Sequence, residues 1–60
     1  MNSGDLIEVT FLHEDQLGFD SVPFICIVDE INENVDGWLW ATSVSSGVQY
    51  DLDPTQFKDA

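Results

Sequence analysis

The clearest structural signal in the chain is the stretch Val35-Asp36-Gly37-Trp38-Leu39-Trp40-Ala41-Thr42-Ser43-Val44-Ser45-Ser46-Gly47-Val48-Gln49-Tyr50-Asp51-Leu52. Asp36-Gly37 is a strong turn dipeptide. Trp38 to Val44 and Val48 to Leu52 are rich in strand-forming residues, and Ser45-Ser46-Gly47 between them supplies a tight turn, so the stretch predicts a β-hairpin. Trp38 and Trp40 share one side of their strand, so if Leu39 and Ala41 face a core, both rings stand at the surface. They form a platform for a partner, since tryptophan is enriched among interface hot spots, or one of them covers the open end of the core. Of the two, Trp38 is the preferred contact.

Upstream of the hairpin, Leu6-Ile7-Glu8-Val9-Thr10-Phe11-Leu12 alternates, with Ile7, Val9 and Phe11 on one face, the mark of a half-buried strand. His13 to Ser21 mixes acids with Gly18 and reads as a long irregular loop or loose hairpin. Phe24-Ile25-Cys26-Ile27-Val28 is apolar on both faces, which suits a bent central strand of a closed sheet, with Pro23 confined to its beginning. In residues 29 to 35 the β-branched Ile31 and Val35 and two asparagines favour a strand end and loop over a helical turn. Downstream, Asp53-Pro54 stops the hairpin because proline has no N–H to donate, and Thr55-Gln56-Phe57 allows a short 3-10 turn that tucks Phe57 back. Residues 1–60 thus predict a single all-β domain. Its four or five short strands are expected to curl into a small antiparallel barrel, because a flat sheet would leave open edges.

The segments Asp36-Gly37-Trp38-Leu39-Trp40-Ala41, Ser45-Ser46-Gly47 and Pro54-Thr55-Gln56-Phe57 together resemble the second half of a Src-homology-3 domain. The resemblance lies mainly over residues 36–57, and the family's first-strand Ala-Leu-Tyr-Asp-Tyr signature has no counterpart in LIEVTFL. It implies a five-stranded barrel in which Trp38 is the ligand-facing tryptophan, Pro54 the groove proline, and Phe57 the groove tyrosine without its hydroxyl. Glu14, Asp15 and Asp20 would stand where the family keeps acids for a ligand arginine. A fold shared by many binding modules does not fix a ligand.

Charge is the other strong feature. Twelve Asp and Glu stand against one Lys, for a formal net charge of −11. Such a field repels nucleic acid and anionic lipid and attracts basic protein surfaces over a range set by salt. Asp51 and Asp53, about 7 Å apart on one face of the last hairpin strand, join Glu14, Asp15, Asp20, Asp29, Glu30, Glu33 and Asp36 in a surface comparable to a nucleic-acid backbone. The bland alternative is a solubilising surface, although mutual repulsion costs stability in a domain this small.

No run has the calcium-loop spacing Asp-x-Asp-x-Asp-Gly, and no phosphate loop or zinc spacing is present, so no metal or cofactor is expected. Cys26 lies central in a predicted strand with no basic neighbour to activate it, and pairing with His13 for catalysis is not expected. A single cysteine makes no internal disulfide, and the chain lacks an apolar run of membrane-spanning length and a signal-peptide pattern; a cytoplasmic location is expected. The leading expectation is a non-enzymatic acidic module that blocks or tunes a basic, nucleic-acid-handling protein such as a polymerase or nuclease, by mimicking DNA. A phage inhibitor would suit the size and charge. Its contacts would be the acids together with Trp38 and Trp40. The alternative is a Src-homology-3-like adaptor that binds proline-rich or basic peptides through Trp38, Pro54 and Phe57.

Overall fold

The computed structural model describes residues 1–60 and contains one five-stranded antiparallel sheet with almost no helix. The strands are β1 (Leu6–Val9), β2 (Phe24–Ile31), β3 (Leu39–Ser43), β4 (Gln49–Leu52) and β5 (Phe57–Asp59), in the order β4-β3-β2-β1-β5. No helix is long and apolar enough to cross a membrane.

Strict alternation builds the core. Ile7 and Val9 of β1, Phe24, Cys26 and Val28 of β2, Leu39 and Ala41 of β3, and Tyr50 and Leu52 of β4 are buried, and Leu12 joins them from the following loop. The register explains why they converge. Ile7 lies opposite Cys26, Val28 opposite Ala41, Ala41 opposite Tyr50 and Leu39 opposite Leu52, so inward side chains form continuous rows across the strands. Phe24 and Tyr50 meet with ring centroids 5.4 Å apart. The hairpin is the predicted one, shortened to Leu39–Ser43 and Gln49–Leu52. Its turn closes with Ser43 N–H on Val48 O (2.8 Å) and Gly47 N–H on Ser43 O (2.9 Å), where Gly47 takes the left-handed φ of 76° that a side-chain-bearing residue would resist.

The expected barrel is not closed. β4 and β5 are the two edges of the sheet and do not pair with each other. The register shift between Val28 and Glu30 puts an extra residue, Asp29, into β2, and a bulge of this kind bends a strand. Asp29 then crosses the outer surface, accepting from Thr42 Oγ1 (2.6 Å) and Gln49 Nε2 (3.2 Å). Two sequence expectations change with this geometry. The apolar run of β2 is buried on one face only, for Ile25 and Ile27 are exposed. The 3-10 turn is not at the C-terminal end but at Glu14–Gln16, inside the β1–β2 loop. After Leu52 a single turn is closed by Gln56 N–H on Asp53 O (3.1 Å), and Phe57 already starts β5 opposite Val9.

The piece that holds these segments together is a glutamine with no solvent exposure. Gln56 Oε1 accepts from Asp53 N–H (3.1 Å), while Gln56 Nε2 donates to Phe11 O (3.1 Å) and to Gln16 Oε1 (2.7 Å). Its backbone carbonyl takes the N–H of Thr10 at 2.8 Å. Every polar atom of the side chain is therefore used, and the β1–β2 loop is fastened to the turn that precedes β5. Replacing Gln56 with leucine keeps a side chain of similar size but leaves Asp53 N–H and Phe11 O without their partners in a partly buried site. Such a change is expected to cost about 2 to 4 kcal/mol, read as a shift of the urea unfolding midpoint with little change in slope.

Candidate functional site

The sequence-predicted residues fall into two groups, those that serve the fold internally and those that remain free at the surface. Asp20 belongs to the first. From the long loop it reaches the β3–β4 hairpin, where its carboxylate accepts from Ser43 Oγ (2.9 Å), Ser46 Oγ (2.7 Å) and Tyr50 OH (2.7 Å). Desolvation is the largest single influence on Asp20 and pushes its pKa up. The bonds from Ser46, Tyr50 and Ser43 together outweigh it and hold the carboxyl below its ordinary value. Burial, then the Asp20 carboxylate, drives the Tyr50 phenol upward. Cys26 is a core residue: burial first, then the negative charges of Asp20 and Asp29, push its thiol up to about 11, the reverse of what a nucleophile needs.

Asp53 is also committed. It accepts from Thr55 N–H (2.8 Å), from Thr55 Oγ1, and from His13 Nε2 (3.0 Å). The Thr55 hydroxyl bond and then the His13 bond hold its carboxyl below the ordinary range. His13 in turn meets Phe11 edge-on, with ring centroids 5.2 Å apart. Glu14 and Asp15 form the exposed 3-10 turn that follows His13. Gln16 Nε2 donates to Asp51 O (3.0 Å), so that turn lies against the end of β4.

Trp40 stands on the outer face, as parity predicts, whereas Trp38 lies before the strand and is not fully at the surface. Leu39 and Ala41 are buried, Trp40 is on the outer face between Glu30 of β2 and Asp51 of β4, and Trp38 is half-buried just before β3. One Asp51 oxygen, Oδ1, is shielded and accepts no hydrogen bond. A cleft of about 510 Å³ opens beside Trp40, lined by Asp29, Glu30, Asn32 and Glu33 among others. Asp36 is exposed in the turn before Trp38. Gly37 has φ 77°, and a Cβ there would sit 2.5 Å from Pro54 Cγ, so the Trp38 turn lies directly on the exposed Pro54. Trp38, Pro54 and the Glu14–Asp15 turn are thus on neighbouring segments. Phe57 differs: it is half-buried opposite Val9 and packs against the core.

Two apolar features were not among the sequence candidates. Phe11, Leu17, Phe19 and Val22 are exposed around a cavity of about 540 Å³ in the β1–β2 loop. Leu6, Ile25, Ile27 and Val44 lie exposed along the sheet. The apolar run of β2 predicts two apolar faces, and the structure buries only the face of Phe24, Cys26 and Val28, leaving Ile25 and Ile27 exposed. No group of three or more His, Cys, Asp or Glu is arranged to hold a metal ion. Neither protein-family models, nor curated proteins, nor solved structures match this chain.

Two measurements check the internal assignments. Because the folded pKa of Asp20 lies below its unfolded value, its contribution is present above about pH 4 and is lost as pH falls through the folded value. Asp20→Asn is expected to cost about 1 to 3 kcal/mol at neutral pH and to flatten the acid limb of a stability-against-pH curve measured by urea unfolding. Gly37→Ala is expected to lose more stability than Gly47→Ala, which has the same positive φ but open space around it. Adding Pro54→Ala to Gly37→Ala should recover only that difference, leaving the backbone penalty of about 1 kcal/mol.

Proposed function

We propose that this protein is a non-enzymatic acidic module that binds a basic surface of a nucleic-acid-handling protein and blocks or tunes it by presenting charges in the manner of a nucleic-acid backbone. The observation that carries this reading is the absence of internal compensation. Of twelve carboxylates only Glu8, 3.2 Å from Lys58, and Asp53, 3.0 Å from the His13 imidazole, have a basic side chain beside them in the chain. The remaining ten have none. Like charges held on a small fold raise its energy, and a partner's lysines and arginines would relieve that repulsion on binding. Glu14, Asp15, Glu30, Glu33, Asp36, Asp51 and Asp59 are the acids with no side-chain hydrogen bond or ion pair inside the fold, and all of them but Asp59 supply the contacts, with Trp40 as apolar anchor amid Glu30 and Asp51. Asp20 and Asp53 are held by internal donors and act by shaping the surface.

A second reading, a Src-homology-3-like adaptor, is favoured by one arrangement: the Gly37–Pro54 contact and the Gln16–Gln56 bond put Trp38, Pro54 and the Glu14–Asp15 turn on adjacent segments. In this reading the groove is built from Trp38 and Pro54, with Phe57 contributing only its outer edge.

Capture from a lysate separates the two. The charge reading expects captured proteins enriched in nucleic-acid binders, released by added DNA and by raising salt from about 0.05 to about 0.5 M. It also expects their loss with Glu30→Gln/Asp51→Asn and their retention with Trp38→Ala. Partners that survive high salt, or that hold DNA and this protein together, would sink it. Loss with Trp38→Ala alone, together with a tryptophan fluorescence change on adding proline-rich arginine peptides, would establish the groove instead.

A further inference from the structure

The outer face of the sheet carries an apolar strip that nothing in the chain covers. Leu6 on β1 lies opposite Ile27 on β2, Ile25 follows two residues away on the same face, and Val44, at the end of β3, is bonded through its N–H to Ile25 O at 3.0 Å. The four side chains are 53%, 42%, 37% and 60% exposed in that order. They run from β1 across β2 to the turn residue that follows β3, whereas the inward faces of the same strands are closed to solvent. Singly exposed aliphatics are ordinary, but a contiguous group on a sheet marks an interaction surface.

Its surroundings decide what chemistry the occupant has. Toward β3 and β4 the strip is followed by Asp29, tied to Thr42 and Gln49, and then by the row Glu30, Trp40, Asp51. Toward β5 it is bordered by Glu8, whose neighbour Lys58 is the only lysine of the chain. A second copy would bring another eleven net negative charges to the same place, and repulsion opposes that pairing. An uncharged apolar segment would leave the bordering carboxylates partly desolvated and unpaired, which costs free energy.

We infer that the β1–β2–β3 outer face is a docking surface for a partner segment with aliphatic side chains flanked by lysine or arginine. The aliphatics would lie over Leu6, Ile25, Ile27 and Val44, and one flanking cation over the Trp40 ring between Glu30 and Asp51, where both ring and carboxylates attract it. This rests on the proposal that the partner is basic and adds where and how it is held: charge steers the approach, and the strip supplies contact that salt does not weaken.

The test uses the full chain, isotopically labelled, titrated with three short synthetic peptides while backbone amide resonances are followed. One has leucines flanked by lysines, one is oligolysine of the same charge, and one has leucines flanked by glutamates. The leucine–lysine peptide is expected to bind at least about tenfold more tightly than oligolysine, and to move the resonances of Leu6, Ile25, Ile27 and Val44 most. The glutamate peptide is expected not to bind. An Ile25→Thr/Ile27→Thr variant keeps β-branched residues on an exposed face, so its fold, checked by the dispersion of the same spectrum, is expected to persist while the preference for the leucine–lysine peptide disappears. Should that variant unfold, Leu6→Ser/Val44→Ser replaces it with the same expectation. Equal affinity for the two basic peptides, or shifts centred on the Phe11–Val22 loop or on Trp38 and Pro54, overturns the docking surface and leaves the charge reading standing. No binding of either basic peptide overturns both. Self-association of the wild type that the double variant abolishes would show the occupant to be a second copy and overturn the inference.

Discussion

The fold depends on one buried amide. Nine of the ten core residues come from the five-stranded sheet, and loops add Leu12 and the fully buried Gln56 to its inward side. A loop over a core brings backbone groups out of water, and each must find a partner or cost about 1 to 3 kcal/mol. Gln56 resolves this at the place where two loops meet, donating to Phe11 O and Gln16 Oε1 and accepting from Asp53 N–H. Gln16 extends the network to Asp51 O, so a chain of amides runs from the β1–β2 loop to the end of β4. Leu12 is buried as a consequence. So too is the geometry around His13, whose bond to Asp53 sits on the outer side of the same junction.

A second polar junction operates at the opposite end of the loop. There Asp20 gathers the hydroxyls of Ser43, Ser46 and Tyr50, binding the loop to the hairpin turn. The two junctions fix both halves of an otherwise irregular connection, leaving Leu17 and Phe19 exposed between them and Val22 exposed just beyond Asp20. They also explain how a strongly acidic chain stays folded. Carboxylates near the core are held by hydroxyl, backbone-amide and imidazole donors rather than by lysine or arginine, which the composition hardly supplies, and the uncompensated acids are kept at the solvent side.

Period-two patterning made much of this legible. Ile7 and Val9, Leu39 and Ala41, and the Ser45-Ser46-Gly47 turn are where alternation and turn chemistry put them, because each depends on neighbours within a few residues. Closure of the sheet was not legible, since it depends on whether β4 and β5 meet, a long-range matter that the local sequence of neither strand encodes. The misreading of Ile25 and Ile27 followed from the same source: an apolar run describes two apolar faces and does not say that both are covered. Asp20 and Asp53 looked like surface acids because a carboxylate's hydrogen-bond donors come from residues up to tens of positions away. Gln56 gave no sign at all, as glutamine in a turn after proline is ordinary in sequence and decisive only once Phe11 and Gln16 are brought beside it.

The division of acids has a functional consequence that composition alone conceals. If all twelve carboxylates were equivalent, a charge-mimicking surface would be diffuse, and its loss would require many substitutions. Because Asp20, Asp29 and Asp53 are held by internal donors and Glu8 is engaged by Lys58, the field that the proposed partner would meet is weighted toward the Glu14–Asp15 turn on one side and Glu30, Glu33 and Asp51 around Trp40 on the other. The second group lies next to exposed aliphatic surface and the first next to Trp38 and Pro54. Long-range attraction sums over both, whereas the short-range contacts that determine residence time belong to one side at a time. A partner held mainly by charge would tolerate either orientation. One held through apolar contact must choose, and on the Trp40 side the register of paired strands, rather than a loop, would set the spacing of the side chains it meets.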